Sequence, residues 1–184
     1  MRILKSASVL LGIAMVAIPA GAAIRAMTLK ETMEYNSDVL QAVIVRKTTM
    51  KTDLPLQGMV YTHMTVIGES LITGEHVTKE LVFLGSHDPA DSCASSEMPT
   101  LQDTRVGGEA VIMYSHDTSG AEPVDVVFGF HDVYRIELAF GTQVVIGKGD
   151  GFAFPENVKL TDARAQILKT HAEILAAQQQ KAGK

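Results

Sequence analysis

Cysteine is almost missing from this chain of 184 residues: Cys93 is the only one, so no internal disulfide can form. A domain of this size does not depend on one, because a chain of about 150 residues already buries about two-thirds of its unfolded surface. Tryptophan is absent and aromatics make up only 5%, which leaves carbohydrate-binding surfaces and aromatic interaction hot spots poorly supplied. A basic stripe is also absent. With 16 Lys and Arg against 21 Asp and Glu the formal charge is −5, which argues against nucleic acid as a partner. No G-x-S-x-G elbow occurs. Gly147-Lys148-Gly149-Asp150-Gly151 lacks the Lys-Ser or Lys-Thr of a phosphate loop and the Asp/Asn alternation of a calcium loop, and reads as a β-turn.

Long apolar runs are missing everywhere except at the start. Met1 to Lys5 is a short basic region, Ala7 to Ile18 is nearly unbroken apolar sequence, Pro19 breaks it, and Ala20-Gly21-Ala22 offers the small residues that a signal peptidase reads. Residues 1–22 are therefore expected to be a secretory signal peptide, cleaved at or near Ala22, and the mature protein to be secreted or periplasmic. An uncleaved anchor is the rival reading, but the run is short against the roughly 20 residues of a full span. No cysteine follows it, so a lipoprotein signal is not expected. No later segment reads as a membrane span.

What the rest of the chain has in quantity is β-pattern. Met59 to Gly85 is the central stretch. Val60, Thr62, Met64 and Val66 alternate with Tyr61, His63, Thr65 and Ile67, the period of an extended ribbon. A turn around Thr73-Gly74-Glu75 returns it through Val77 to Leu84. Before it, Thr28-Leu29-Lys30-Glu31 is a capping box that should open a short helix to about Tyr35, with Leu29 and Met33 on one face. Asn36-Ser37-Asp38 ends that helix, Val39 to Thr49 reads as a strand covered on both sides, and Lys51 to Gly58 reads as a loop. Beyond Gly85 a polar stretch of about 20 residues runs to Gly107-Gly108, long for a connection in a compact domain. Strands are expected over Glu109–Ser115, Val124–Phe130, Val133–Phe140 and Val144–Ile146. Thr161 or Asp162 should cap a helix to about Gln179, with Leu160, Ile167, Leu168, His171, Ile174 and Leu175 on one face. The organisation is residues 23–38 as an N-terminal segment, 39–154 as the β domain and 155–184 as helix and tail.

Several short motifs carry a resemblance. Ser37-Asp38-Val39 enters a strand, Val66, Glu69, Leu71 and Gly74 fit a T-x-x-V-x-x-E-x-L-x-x-G pattern with His63 in the threonine's place, and Val77 to Leu81 (VTKEL) and Gly107 to Tyr114 (GGEAVIMY) follow. Together, over Ser37 to Ile146, they resemble uncharacterised exported bacterial β-barrel proteins, which are similar to the OB-like barrel of netrin modules and tissue inhibitors of metalloproteinases. The resemblance implies a mainly β fold: an OB-like, partly open antiparallel barrel with a short N-terminal helix and a C-terminal amphipathic helix. The inhibitors' zinc-chelating N-terminal cysteine has no counterpart here, so their activity is not carried over with the fold.

Three His-Asp pairs offer candidate chemistry: His87-Asp88, His116-Asp117 and His131-Asp132. Imidazole with carboxylate can hold a divalent metal or move protons, yet all three fall at expected turns, where Asp serves local hydrogen bonding. Cys93 has no basic neighbour to activate it. His63 fits a satisfied histidine of the ribbon better than a ligand. His171 fits the helix's packing face, with a pH-sensitive helix contact as the other reading. The expected function is a non-catalytic, exported binding or structural module without cofactor, contacting an unknown protein or envelope component through the long loop and the barrel face. The alternatives are a small metal-dependent hydrolase built on the His-Asp pairs and a protease-inhibitor-like module.

Overall fold

The computed structural model describes residues 25–52, 59–88, 90, 97–119 and 122–183. The expected signal segment and Cys93 lie outside them. A short helix α1 (Leu29–Tyr35) leads into β1 (Asp38–Thr52), β2 (Met59–Ser70), β3 (His76–Leu84), β4 (Glu109–Asp117) and β5 (Val124–Val126). After a 3-10 turn at Phe130–Asp132 come β6 (Val133–Ala139), β7 (Thr142–Val145), β8 (Val158–Lys159) and α2 (Leu160–Ala182). The capping box forms as its residues dictate: Thr28 Oγ1 accepts from the Glu31 amide at 3.3 Å, and Glu31 accepts from the Thr28 amide at 2.9 Å.

The chain is mainly β and its first five strands make a closed OB-like barrel. β1 pairs antiparallel with β2, β2 with β3, and β1 with β4 on its other edge. The remaining seam is narrower than the rest and closed by β5, which runs parallel to β3 through Leu81↔Asp125 and Val82↔Val126 and antiparallel to β4. β6 then takes the same edge of β4, opposite Glu109 to Ile112, and carries β7 and β8 away from the barrel.

Two apolar cores follow from alternation along β1 and β4. Leu40, Ala42, Ile44, Ala110, Ile112 and Tyr114 fill the barrel with Met64, Val66, Leu81 and Phe83. The intervening Val39, Val111 and Met113 point the other way, into a core with Met33 of α1, Tyr134 and Ile136 of β6, and Ile167 and Ile174 of α2. The alternation expected for Met59–Ile67 is present, with Val60, Thr62, Met64 and Val66 buried.

Several boundaries differ from the sequence reading, each for a local reason. β1 continues past Thr49 because its ladder with β2 runs on to Thr52↔Met59, so Lys51 is in strand rather than loop. The strand expected over Val124–Phe130 ends at Val126, because the Asp132 carboxylate captures the Phe128 and Gly129 amides at 2.8 and 3.2 Å. Phe140 lies in the β6–β7 turn with φ 50°. At α2 neither Thr161 nor Asp162 is the cap: β8 runs straight into the helix and Lys159 stands at the N-cap without a side-chain bond. The helix continues to Ala182 rather than Gln179. Its buried stripe is Leu160, Ala163, Ile167 and Ile174, while Leu168 and Leu175 are exposed, because the covering core reaches only one side of the helix.

Gly68 marks the tightest strand contact. Opposite Ala42 in the β1–β2 register, a Cβ there would lie 2.1 Å from the Gln41 carbonyl oxygen and 2.5 Å from Ala42 Cα. Gly74, in the β2–β3 turn with φ +76°, has nothing within 4 Å of a built Cβ. Gly68→Ala is expected to cost about 3 kcal/mol or more, as overpacking against backbone does, whereas Gly74→Ala should cost only about 1 kcal/mol of left-handed strain. Urea denaturation of the two variants measures the difference.

Candidate functional site

The three His-Asp pairs do not come together. His87 Nε2–H donates to the Pro99 carbonyl at 2.8 Å, and Asp88 accepts from the Ala90 amide. His116 Nδ1–H donates to Asp125 at 2.9 Å rather than to its neighbour Asp117, which accepts from the Ser119 amide. Asp125 also takes the Lys79 ammonium at 2.8 Å. His131 Nε2 lies 3.6 Å from Asp132. Asp132 is wholly buried and accepts from Asn36 Nδ2 at 3.0 Å as well as from the two amides already described. Burial raises its carboxyl above the usual range, against the pull of His131 and of those donors. Among the described residues no three His, Cys, Asp or Glu side chains are grouped so as to hold a metal ion.

A buried charge cluster that the sequence did not announce lies beside Asp132. Lys148 is 5% exposed and Asp103 2%, with Nζ to Oδ2 at 3.0 Å. Lys148 also donates to the Phe130 carbonyl and sits 3.7 Å above the Phe130 ring and 4.9 Å from that of Tyr134. Arg135 Nη1 reaches the other Asp103 oxygen at 3.3 Å. Burial pulls the Lys148 ammonium below the usual lysine range, with Asp103 opposing. A lysine of this kind can serve catalysis. Here every direction from Nζ is taken by a carboxylate, a carbonyl or a ring, so the group acts as a joint between the 97–106 segment, the 3-10 turn and the Gly147–Gly151 turn.

Two of the concavities among the described residues lie near the elements just described. One, of about 140 Å³, lies where α1, α2 and the start of β1 meet and is lined by Glu34, Asn36, Asp38, Ile72, His171 and Leu175 among others. The other, of about 230 Å³, is an open dish around Gly68. Neither is lined by His87, His116 or His131.

The outer face of β1–β2–β3 is the surface with the most recognisable organisation. The register places Met50, Tyr61 and Leu84 in one row, Thr48, His63 and Val82 in the next, and Arg46, Thr65 and Glu80 in the third. Met50 is 54% exposed and Leu84 41%. His63, on this face rather than in the core, donates from Nδ1 to Glu80 at 2.6 Å, and Arg46 stands 3.8 Å from the same carboxylate. The face thus grades from apolar to charged. Its apolar row adjoins the start of the long loop: the Gly85 amide donates to Val60, Thr62 Oγ1 donates to the Gly85 carbonyl at 2.7 Å, and Ser86 Oγ meets Thr49 Oγ1 at 3.4 Å. Only the strand register puts the row together. In sequence Met50 falls between the expected strand ending at Thr49 and the expected loop starting at Lys51, and Leu84 ends the returning run.

No family model, curated protein or solved structure matches the chain. The chain defines itself by its architecture: a mainly β protein with a closed five-stranded barrel, a short N-terminal helix and a C-terminal helix. No helix among the described residues is long and apolar enough to cross a membrane.

The Asp103 joint yields a stability prediction. Asp103→Ala strands the buried Lys148 charge and is expected to cost about 3–5 kcal/mol, whereas Asp103→Leu with Lys148→Met should recover most of that loss. Chemical denaturation of both variants checks it.

Proposed function

We propose that this chain is an exported, non-catalytic binding or structural module, secreted or periplasmic, that contacts a protein or envelope component through the outer face of β1–β3 and the adjoining Ser86–Val106 loop. The observation that carries the reading is the row Met50, Tyr61 and Leu84, two of its members well exposed, set against the base of a long loop. Exposed apolar side chains around a central tyrosine and rimmed by Arg46, His63 and Glu80 have the composition of a protein-binding patch. The separation of the three His-Asp pairs favours this reading over metal-dependent hydrolysis, which needs its ligands on one centre. The likeness to netrin modules and tissue inhibitors of metalloproteinases enters at the level of the barrel alone.

Two results are expected. Chain made with its leader and recovered from the exported fraction begins at Ala23 or within a few residues of it by N-terminal sequencing. Crosslinking of that chain to envelope proteins is lost in Met50→Ser/Tyr61→Ser/Leu84→Ser, which keeps the wild-type circular dichroism, and is retained in Phe140→Ser. Stoichiometric zinc or manganese in the purified chain, removed by mutating His87 and His131, would instead establish the hydrolase.

A further inference from the structure

His87 has a feature that the binding reading does not use. Its Nε2–H donates to the Pro99 carbonyl at 2.8 Å; a carbonyl only accepts, so the neutral ring carries its proton on Nε2 and leaves Nδ1 with a bare lone pair. Nδ1 is buried and has no hydrogen-bond partner among the described residues. The ring stands edge-on to Phe83, with centroids 6.1 Å apart. Ser86, one residue before it, is held at the barrel mouth by Thr49. His87 therefore bonds the end of β3 to Pro99, near the start of the 97–104 segment.

We propose that His87 is an acid-sensitive joint, holding the Pro99 end of the 97–104 segment against the barrel while neutral and releasing it when protonated. A proton on Nδ1 would create a buried donor without an acceptor, which costs about 1–3 kcal/mol or more for a charged group. Among the described residues the charged groups around it do not offset this. β1 presents Lys47, a second cation, whose Nζ donates to Thr104 Oγ1 at 3.4 Å. From its own loop, the Asp88 carboxylate accepts from the Ala90 amide at 2.9 Å. From the 97–104 segment, Asp103 is taken by Lys148 and Arg135, and Glu97 lies toward the 3-10 turn, its carbonyl bonded to the Phe130 amide. β3 presents the Phe83 ring.

Burial first, then Lys47, holds the His87 imidazole below its usual range, against the Pro99 bond. A depressed folded value means that the packed joint is fully stable above the unfolded value of about 6.5 and loses stability as pH falls below it toward the folded value. Release is confined to the Pro99 end, because the Asp103 end keeps its two cations throughout this window.

The test is a nitrogen-15 NMR titration of the histidine rings together with hydrogen exchange from pH 7.5 downward, corrected for the intrinsic pH dependence of exchange. The expected result is a His87 ring protonated on Nε2 that titrates below the unfolded value. Exchange in peptides covering 84–88 and 97–102 should rise by about tenfold for each unit of that depression, with the β4 peptide 109–117 unchanged. His87→Gln keeps a donor for Pro99 without a titrating ring, and His87→Phe keeps the ring without the donor; both should flatten the acid response. A His87 that titrates at or above the unfolded value overturns the proposal, as does an acid response that survives in both variants. The readout is local, so it stands or falls separately from the crosslinking result at the β1–β3 face.

Discussion

The constraint on which the structure depends is that β4, and β1 at its Val39–Leu40 end, are buried on both faces, whereas β1 from Val43 onward is covered on one side only rather than on both as its apolar run suggests. One set of alternating side chains fills the barrel and the other anchors the helices and the β6–β8 flap. Where the two strands run side by side, their register sets Ala42 opposite Ala110, and Ala42 opposite Gly68 on the other edge. Three of the smallest residues thus form one row across β2, β1 and β4. Small side chains there let the strands curve tightly enough to close a barrel of only five, and larger ones to either side, Leu40 and Ile44 on β1 with Ile112 and Tyr114 on β4, fill the space that closure encloses. A one-residue slip of β4 would reverse both cores at once.

Polar joints do the corresponding work at the margins of these cores. Asp132 ends β5 by taking the amides that would have continued it, and through Asn36 it ties that break to the end of α1. Lys148 and Asp103 bind the long loop to the last turns before α2. Both joints involve ionisable groups withdrawn from water, which costs energy unless every lone pair and proton is used. They are correspondingly well supplied: Asp132 has three donors, and Lys148 has two oxygen acceptors and two rings. Such fully engaged groups hold segments in place and are poor candidates for chemistry, which requires a reactive atom left open.

The β1–β3 face and the His87 joint meet at one end of the barrel, where β3 passes into the long loop. The barrel's ladder hydrogen bonds end there and side chains take over: Thr62 to the Gly85 carbonyl, Thr49 to Ser86, His87 to Pro99. This transition from backbone pairing to side-chain pairing places the proposed contact surface and the proposed acid-sensitive joint at the same loop base. Exposed Met50 and Leu84 sit within a strand or two of a titratable ring, so a partner seated on that row would lie next to the joint.

Much of the fold could be read from the residues themselves. The alternation of Val60 to Ile67, the capping box at Thr28 and Glu31, and the dense apolar runs of β1 and β4 are local signals, and local signals survive without knowledge of neighbours. The mainly β class and the two flanking helices follow from them. The site was far less legible. That Asp132 would stop a strand, that Lys148 would find Asp103 across 45 positions of chain, that His116 would choose Asp125 over Asp117, and that Leu168 and Leu175 would stay exposed on α2 are all outcomes of which surfaces meet. Sequence by itself determined the strands, the ribbon and the helix ends that rest on hydrogen bonds within a few residues. Only tertiary structure decided register, closure and the partners of each charged group, because these are settled by packing between segments far apart in the chain, where no residue carries the identity of its neighbour.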